Sequence, residues 1–298
     1  MKTILLSALA CLATPLGTAP DANQRSAPKP DDTAKTLSLT FGVYQSDKAT
    51  VMYKKLSPIL EYLQDDLESR LGRSVDIHLN IFKSYDEGID ALVKGDIDFV
   101  RFGPASYLLA KERAPAVQLV AMELENDQKR FKGAVITRTD SPIRSLADLK
   151  GKRFAFGDPN STIGRYLVQA ELVKAGVHAS DLAGFKYLDR HDKVAAAVDI
   201  GDFDAGAVAT SSFDKANEKG TLRVVATFDN VTKPWVARAN LDKKLVEGLQ
   251  LGLYALKDAA VLKELKISGF APTSDDEYRM VRDGMKGADE FEGKRPGS

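Results

Sequence analysis

From residue 37 onward the chain switches repeatedly between two hydrophobic periods. Leu37 to Tyr44 places an apolar residue at every second position, the period of a half-buried strand. Met52, Leu56, Ile59, Leu60, Leu63, Leu67 and Leu71 then recur at three- and four-residue spacing, which predicts an amphipathic helix over Ala49 to Leu71. Val75 to Phe82 returns to the strand period. Ser84-Tyr85-Asp86-Glu87 follows with capping-box spacing, so a second helix opens there and runs to Lys94. Strand, helix, strand, helix in alternation predicts an α/β fold on a largely parallel sheet.

The pattern echoes itself. Ala91-Leu-Val-Lys-Gly95-Asp96-Ile97-Asp98-Phe99 is answered by Ala197-Val-Asp-Ile-Gly201-Asp202-Phe203-Asp204-Ala205. In both, a helix ends at glycine, a natural left-handed cap, and acidic residues lead into an apolar strand. Two lobes of similar design with a cleft between them produce such an echo. So does chance recurrence of a common helix-to-strand turn.

Candidate chemistry sits where strands hand over to helices. Arg153 to Phe156 reads as a strand. It feeds Gly157-Asp158-Pro159-Asn160-Ser161-Thr162-Ile163-Gly164, which opens an apolar helical pattern through Tyr166, Leu167, Ala170, Leu172 and Val173. The first N–H groups of a helix lack internal partners, and with the helix dipole and two adjacent hydroxyls they suit an oxyanion. The same residues are good N-caps, so this segment alone supports either role. His191-Asp192 follows the strand-like Phe185 to Leu188 and precedes Val194, Ala197 and Val198. His191 therefore opens another helix, where its ring can donate a proton to an anion. Tyr85 sits at a third helix start. Three donor-bearing side chains at three helix N-termini are what a phosphate-like anion would use.

Composition narrows the classes. Lys and Arg number 42, as do Asp and Glu, so no global field draws the chain to nucleic acid or membrane, and anion selection has to be local. Histidines stand only at 78, 178 and 191, without metal-ligand spacing, so no metal is expected. No cofactor fingerprint or nucleophile elbow is present, so no cofactor and no catalytic residue is expected. A Ser161–His191–Asp triad has no supporting local motif. At the N-terminus, Lys2 precedes an apolar run from Ile4 to Leu9, which predicts a secretory leader over residues 1–19. Cys11 stands in Ala8-Leu9-Ala10-Cys11, an imperfect lipoprotein box, so peptidase cleavage and lipid anchoring at Cys11 both remain open. Residues 20–35, with Pro20, Pro28 and Pro30, read as a disordered tether.

Taken together, these segments resemble the periplasmic solute-binding proteins of phosphate, phosphite and phosphonate ABC importers. The likeness runs through Leu39-Thr-Phe-Gly-Val, the Tyr85 segment, Gly95-Asp-Ile-Asp, and Gly103-Pro104-Ala105-Ser106-Tyr107. It continues through Asp140 to Gly151, Phe156 to Thr162, His191-Asp192, and Asp204-Ala-Gly-Ala-Val208. The resemblance implies a type II periplasmic-binding-protein fold closing on its ligand like a hinged clamp. Lobe one would hold residues 36–130 and 231–298, and lobe two residues 131–230, with crossings near Phe131 to Arg138 and Val224 to Trp235. It implies that Ser161, Thr162, His191 and Tyr85 hold the oxyanion, with Ile163, Gly164, Phe131 and Tyr107 nearby. Two positions depart from the family pattern. Ile163 stands where a hydroxyl residue is usual, and Phe131 where a second tyrosine is common, so either the pocket is retuned to another ligand or Arg165 or Lys132 compensates. Ser211, Ser212 and Lys233 align near acidic residues that hold a ligand amine in some members, so such an amine would be unpaired and repelled by Lys233 unless Asp214 or Asp229 receives it. The implied partners are the small oxyanion and a membrane permease, with the protein a monomer. Presentation of the ligand to a histidine kinase is the alternative, and an enzyme on the same fold is the remoter rival.

Overall fold

Two mixed sheets account for the alternating pattern. The computed structural model describes residues 36–293, so the leader, Cys11 and the segment 20–35 lie outside the described residues. The chain begins with β1 (Leu37–Tyr44), α1 (Ala49–Leu71), β2 (Val75–Phe82) and α2 (Tyr85–Lys94), at the bounds the periodicity predicts. It continues with β3 (Phe99–Arg101), α3 (Pro104–Arg113) and β4 (Gln118–Leu124). The second sheet is then built from β5 (Arg130–Arg138), β6 (Arg153–Phe156), α4 (Val168–Lys174), β7 (Gly184–Tyr187), α5 (His191–Asp199), β8 (Ala205–Ala209), α6 (Thr210–Ala216) and β9 (Leu222–Val231). The return passage adds β10 (Pro234–Ala237), α7 (Lys243–Ala255), α8 (Ala259–Leu265), β11 (Gly269–Ala271) and α9 (Arg279–Phe291).

The strand order is β11-β4-β10-β3-β1-β2 in the first sheet and β7-β6-β8-β5-β9 in the second. Neither sheet is largely parallel, which corrects the expectation. β1 runs parallel to β2 and β3, and β6 parallel to β7 and β8. The pairings of β10, β4 and β11, and of β5 with β8 and β9, are antiparallel. Parallel neighbours need an intervening crossover. α1 supplies one between β1 and β2, and α4 one between β6 and β7.

The sequence echo marks one device used twice. Gly95 and Gly201 end the helical segments with φ of +82° and +84°. Just beyond them, Asp98 accepts the Thr40 N–H at 2.8 Å and Asp204 accepts the Arg153 N–H at 2.7 Å. In each sheet an aspartate thus satisfies a backbone donor of the neighbouring strand.

Apolar burial holds each sheet to its helices. The α1 face predicted from spacing is buried at Met52, Leu56, Ile59, Leu60, Leu63 and Leu67, against Phe41, Phe99, Trp235, Leu249 and Leu253. Each such side chain contributes about 1.5–3 kcal/mol. The second sheet buries Val135, Leu149, Phe154, Phe156 and Leu172. The expectation that residues 231–298 belong to lobe one needs amendment at α9. Its Val281 and Ala288 pack with Tyr107 and Tyr278 of the first lobe. Its Phe291 packs 5.6 Å from Phe156 and 6.0 Å from Phe185 of the second. An amphipathic helix with small residues on its face can lie against both lobes, and this one does.

Candidate functional site

Helix starts from both sheets converge on one cleft. Tyr85 opens α2, Gly103 and Pro104 begin α3, His191 opens α5, and Ser211 and Ser212 lie in the first turn of α6. Ser161 and Thr162 open a π-helical turn, Thr162–Leu167, that runs into α4. All of these line one pocket of about 150 Å³. Each helix follows a strand, so the cleft lies beyond strand ends, the usual ligand position in open α/β sheets. The positive dipole ends of these helices meet at the cleft.

The hydroxyls are positioned by the backbone. Ser161 Oγ accepts the Gly164 N–H at 2.9 Å. Thr162 Oγ1 accepts the Ala105 N–H of α3, across the cleft, at 2.8 Å. A hydroxyl can accept and donate at once, so capping leaves both O–H groups to offer a ligand. The two readings of this segment are therefore compatible. Gly157 and Gly164 allow the strand end to touch the helix start, because a Cβ at Gly164 would stand 2.7 Å from the Gly157 Cα.

Tyr85 lines the same pocket as Ser161. It stacks on Tyr44 with ring centroids 3.5 Å apart. Tyr44 lines the same pocket, accepts the Gly103 N–H at 2.5 Å, and lies 3.0 Å from Ser106 Oγ. Burial pushes the Tyr44 phenol up to about 12 and the Tyr85 phenol well above its ordinary value, so both remain O–H donors at neutral pH. Sequence reasoning missed Tyr44. Its place as the last residue of a strand was the available signal.

His191 also lines the pocket, and its buried Nδ1 has no hydrogen-bond partner. Burial first, and then the Lys233 charge, push its pKa down to about 4. The ring is therefore neutral at pH 7 and keeps one N–H. Lys233, between β9 and β10, holds its Nζ 5.1 Å from the centre of the Phe131 ring. Burial first, and then Arg101, lower its pKa to about 8.

Ile163 and Phe131 supply apolar wall. Gly164 stands behind the hydroxyls and acts through its backbone. Tyr107, expected near the ligand, is instead fully buried in the first lobe. It packs 5.0 Å from Tyr278, with its hydroxyl bonded to Asp275. Its position on α3 turns it into the core. Neither expected compensating cation lines the pocket: Arg165 bonds Glu292 at 3.0 Å and Lys132 bonds Asp229 at 2.7 Å. The cations that do line it are Lys55, Arg101, Lys233 and Lys266, with Asp47, Glu123 and Glu125. Arg101 grips Glu123 at 2.5 and 2.9 Å, and Trp235 Nε1–H donates to the same carboxylate at 3.0 Å. Burial alone would push Glu123 up, but Arg101 outweighs it and holds the carboxyl below its ordinary value. No local motif announces these residues. Among the described residues no cluster of three metal-ligating side chains occurs, and no helix is long and apolar enough to cross a membrane.

Two α/β lobes joined by two crossings, with a donor-lined cleft between them, define a periplasmic-binding-protein fold. The chain belongs to the family described as ABC transporter, phosphonate, periplasmic substrate-binding protein, whose model matches residues 41–278. It is 28% identical over 235 residues to a probable ABC transporter phosphite binding protein of Prochlorococcus marinus, covering 71% of this chain and 78% of the relative. The fold matches a Prochlorococcus marinus structure in complex with methylphosphonate at a TM-score of 0.72 and 22% identity, over 83% of this chain and 96% of that one. It also matches the periplasmic aliphatic sulphonate binding protein of Escherichia coli at a TM-score of 0.59 and 20% identity, over 85% and 86% of the two chains. Membership places the protein outside the cytoplasm, with a small ligand and a membrane permease as its partners.

Proposed function

We propose that this protein captures a phosphonate or phosphite in the cleft and delivers it to the permease without chemical change. The observation that carries this reading is the convergence of helix N-termini bearing neutral donors. Ser161 and Thr162 donate their hydroxyl protons to the oxyanion, Tyr85 donates from the opposite lobe, and neutral His191 donates a ring N–H. Closure strengthens each contact by excluding water. The relatives' phosphite and methylphosphonate ligands support a phosphorus oxyanion. Family membership favours delivery to a permease over presentation to a sensor kinase.

A thermal-shift panel of phosphite, methylphosphonate, phosphate and sulfate tests the ligand. A ligand at 100 times its dissociation constant stabilises by about 2.7 kcal/mol. Calorimetry then tests the site: Ser161→Ala with Thr162→Ala weakens binding by at least ~3 kcal/mol, the loss of two charge-assisted hydrogen bonds. Unchanged affinity in the double variant would reduce this segment to a helix cap.

A further inference from the structure

We propose that Lys233 is a specificity-determining residue that receives a second anionic group carried on the substituent of the bound phosphonate. This inference rests on the oxyanion reading above and adds what the rest of the ligand looks like.

The first observation is an ammonium group without a counter-ion. Lys233 lines the cleft, half-buried, yet no carboxylate of the described residues lies within 4.0 Å of its Nζ. Its contact is the face of Phe131, a cation–π attraction. The other charges facing this region are mostly matched. Arg101 is bound by Glu123, and Lys55 lies 3.7 Å from Asp47. Glu125 is the competing carboxylate. It is half-buried, and burial raises its pKa.

The second observation is room. A pocket of about 150 Å³ is roughly ten times what one water requires. A phosphonate headgroup has only four heavy atoms, so a substituent fits beside it. The third is direction. The hydroxyls and helix ends that suit the headgroup sit on α2, α3, α5 and the turn before α4, whereas Lys233 projects from the crossing between β9 and β10. The headgroup donors and the ammonium thus come from different elements lining one pocket. The substituent that best fits this cation carries a carboxylate or another anion a few bonds from phosphorus. An alkylamine would meet like charge.

Calorimetry with methylphosphonate, phosphonoacetate and aminoethylphosphonate tests this on the full chain. The parent should bind phosphonoacetate at least tenfold more tightly than aminoethylphosphonate. Lys233→Met, which keeps the stem over Phe131, should lose at least tenfold more affinity for phosphonoacetate than for methylphosphonate. Lys233→Arg should restore most of the loss, and Lys233→Glu should shift preference toward aminoethylphosphonate. Equal losses on methylphosphonate and phosphonoacetate in Lys233→Met would make the lysine a headgroup ligand and overturn the proposal. So would tight aminoethylphosphonate binding that disappears in Glu125→Gln. If the parent binds none of the three, the oxyanion reading falls as well. Methylphosphonate binding with no response to Lys233 sinks this inference alone.

Discussion

His191 opens α5 with a ring whose pKa is pushed from the ordinary 6.5 down to about 4. Between those values the unfolded chain takes a proton that the folded chain refuses. The stability this residue contributes is present above pH 6.5 and is lost as pH falls toward 4. Asp158 works in the opposite sense. Burial lifts its carboxyl from 3.8 to about 6, so its contribution is present below 3.8 and is lost as pH rises through 6. Comparing the parent with His191→Gln separates the two, because Asp158 is common to both. Between pH 7 and pH 4.5 the variant should lose roughly 2 kcal/mol less than the parent. Urea midpoints at the two pH values check it. Equal losses would show that the ring gains its proton freely in the folded state.

The π-helical turn before α4 is the element on which the site depends most. Gly157 donates to the Gly164 carbonyl at 2.8 Å. An added Cβ at Gly164 would meet the Gly157 Cα at 2.7 Å and its N at 3.0 Å. Those neighbours are backbone and cannot swing aside. Gly164→Ala should therefore cost about 1–3 kcal/mol by overpacking. It should also weaken methylphosphonate binding more than tenfold, because the Gly164 N–H holds Ser161 Oγ in place. Thermal melting and calorimetry read the two effects separately. A variant that melts and binds like the parent would mean that the close approach is unnecessary.

Across the whole molecule, the lobes touch through the cleft as well as through the crossings. Thr162 meets Ala105 at 2.8 Å, Asn160 Nδ2 donates to Asp86 at 2.7 Å, and Lys215 reaches Asp47 at 3.4 Å. These contacts bridge the two lobes across the cleft. Exposed members such as the Lys215–Asp47 pair add little by themselves, so the empty protein is expected to open and a ligand to favour closure. Solution scattering should show a smaller radius of gyration with saturating methylphosphonate than without it. The change should be modest, since α9 packs against both lobes. Identical profiles with and without bound ligand would rule out a hinged clamp.

What the sequence determined by itself was local. Hydrophobic period set β1, α1 and β2 to the residue, and Ser84 does cap α2, accepting the Glu87 N–H at 3.2 Å. The Gly-Asp echo marked one device in both sheets. The helix starts at Tyr85, Ser161 and His191 were legible because caps and periods act within a few neighbours. Tertiary structure decided everything that depends on partners distant in sequence. Strand direction followed from two crossings that local pattern does not encode, and α9 was divided between lobes by the packing of Phe291. Tyr44 ends β1 and Tyr107 lies in the first turns of α3, yet one lines the cleft and the other is sealed in the core. Lys233 likewise came to lie over the Phe131 ring only when residues about a hundred positions apart met at the crossing. Periodicity assigns a side chain to a face of its own element; what that face meets is settled by packing.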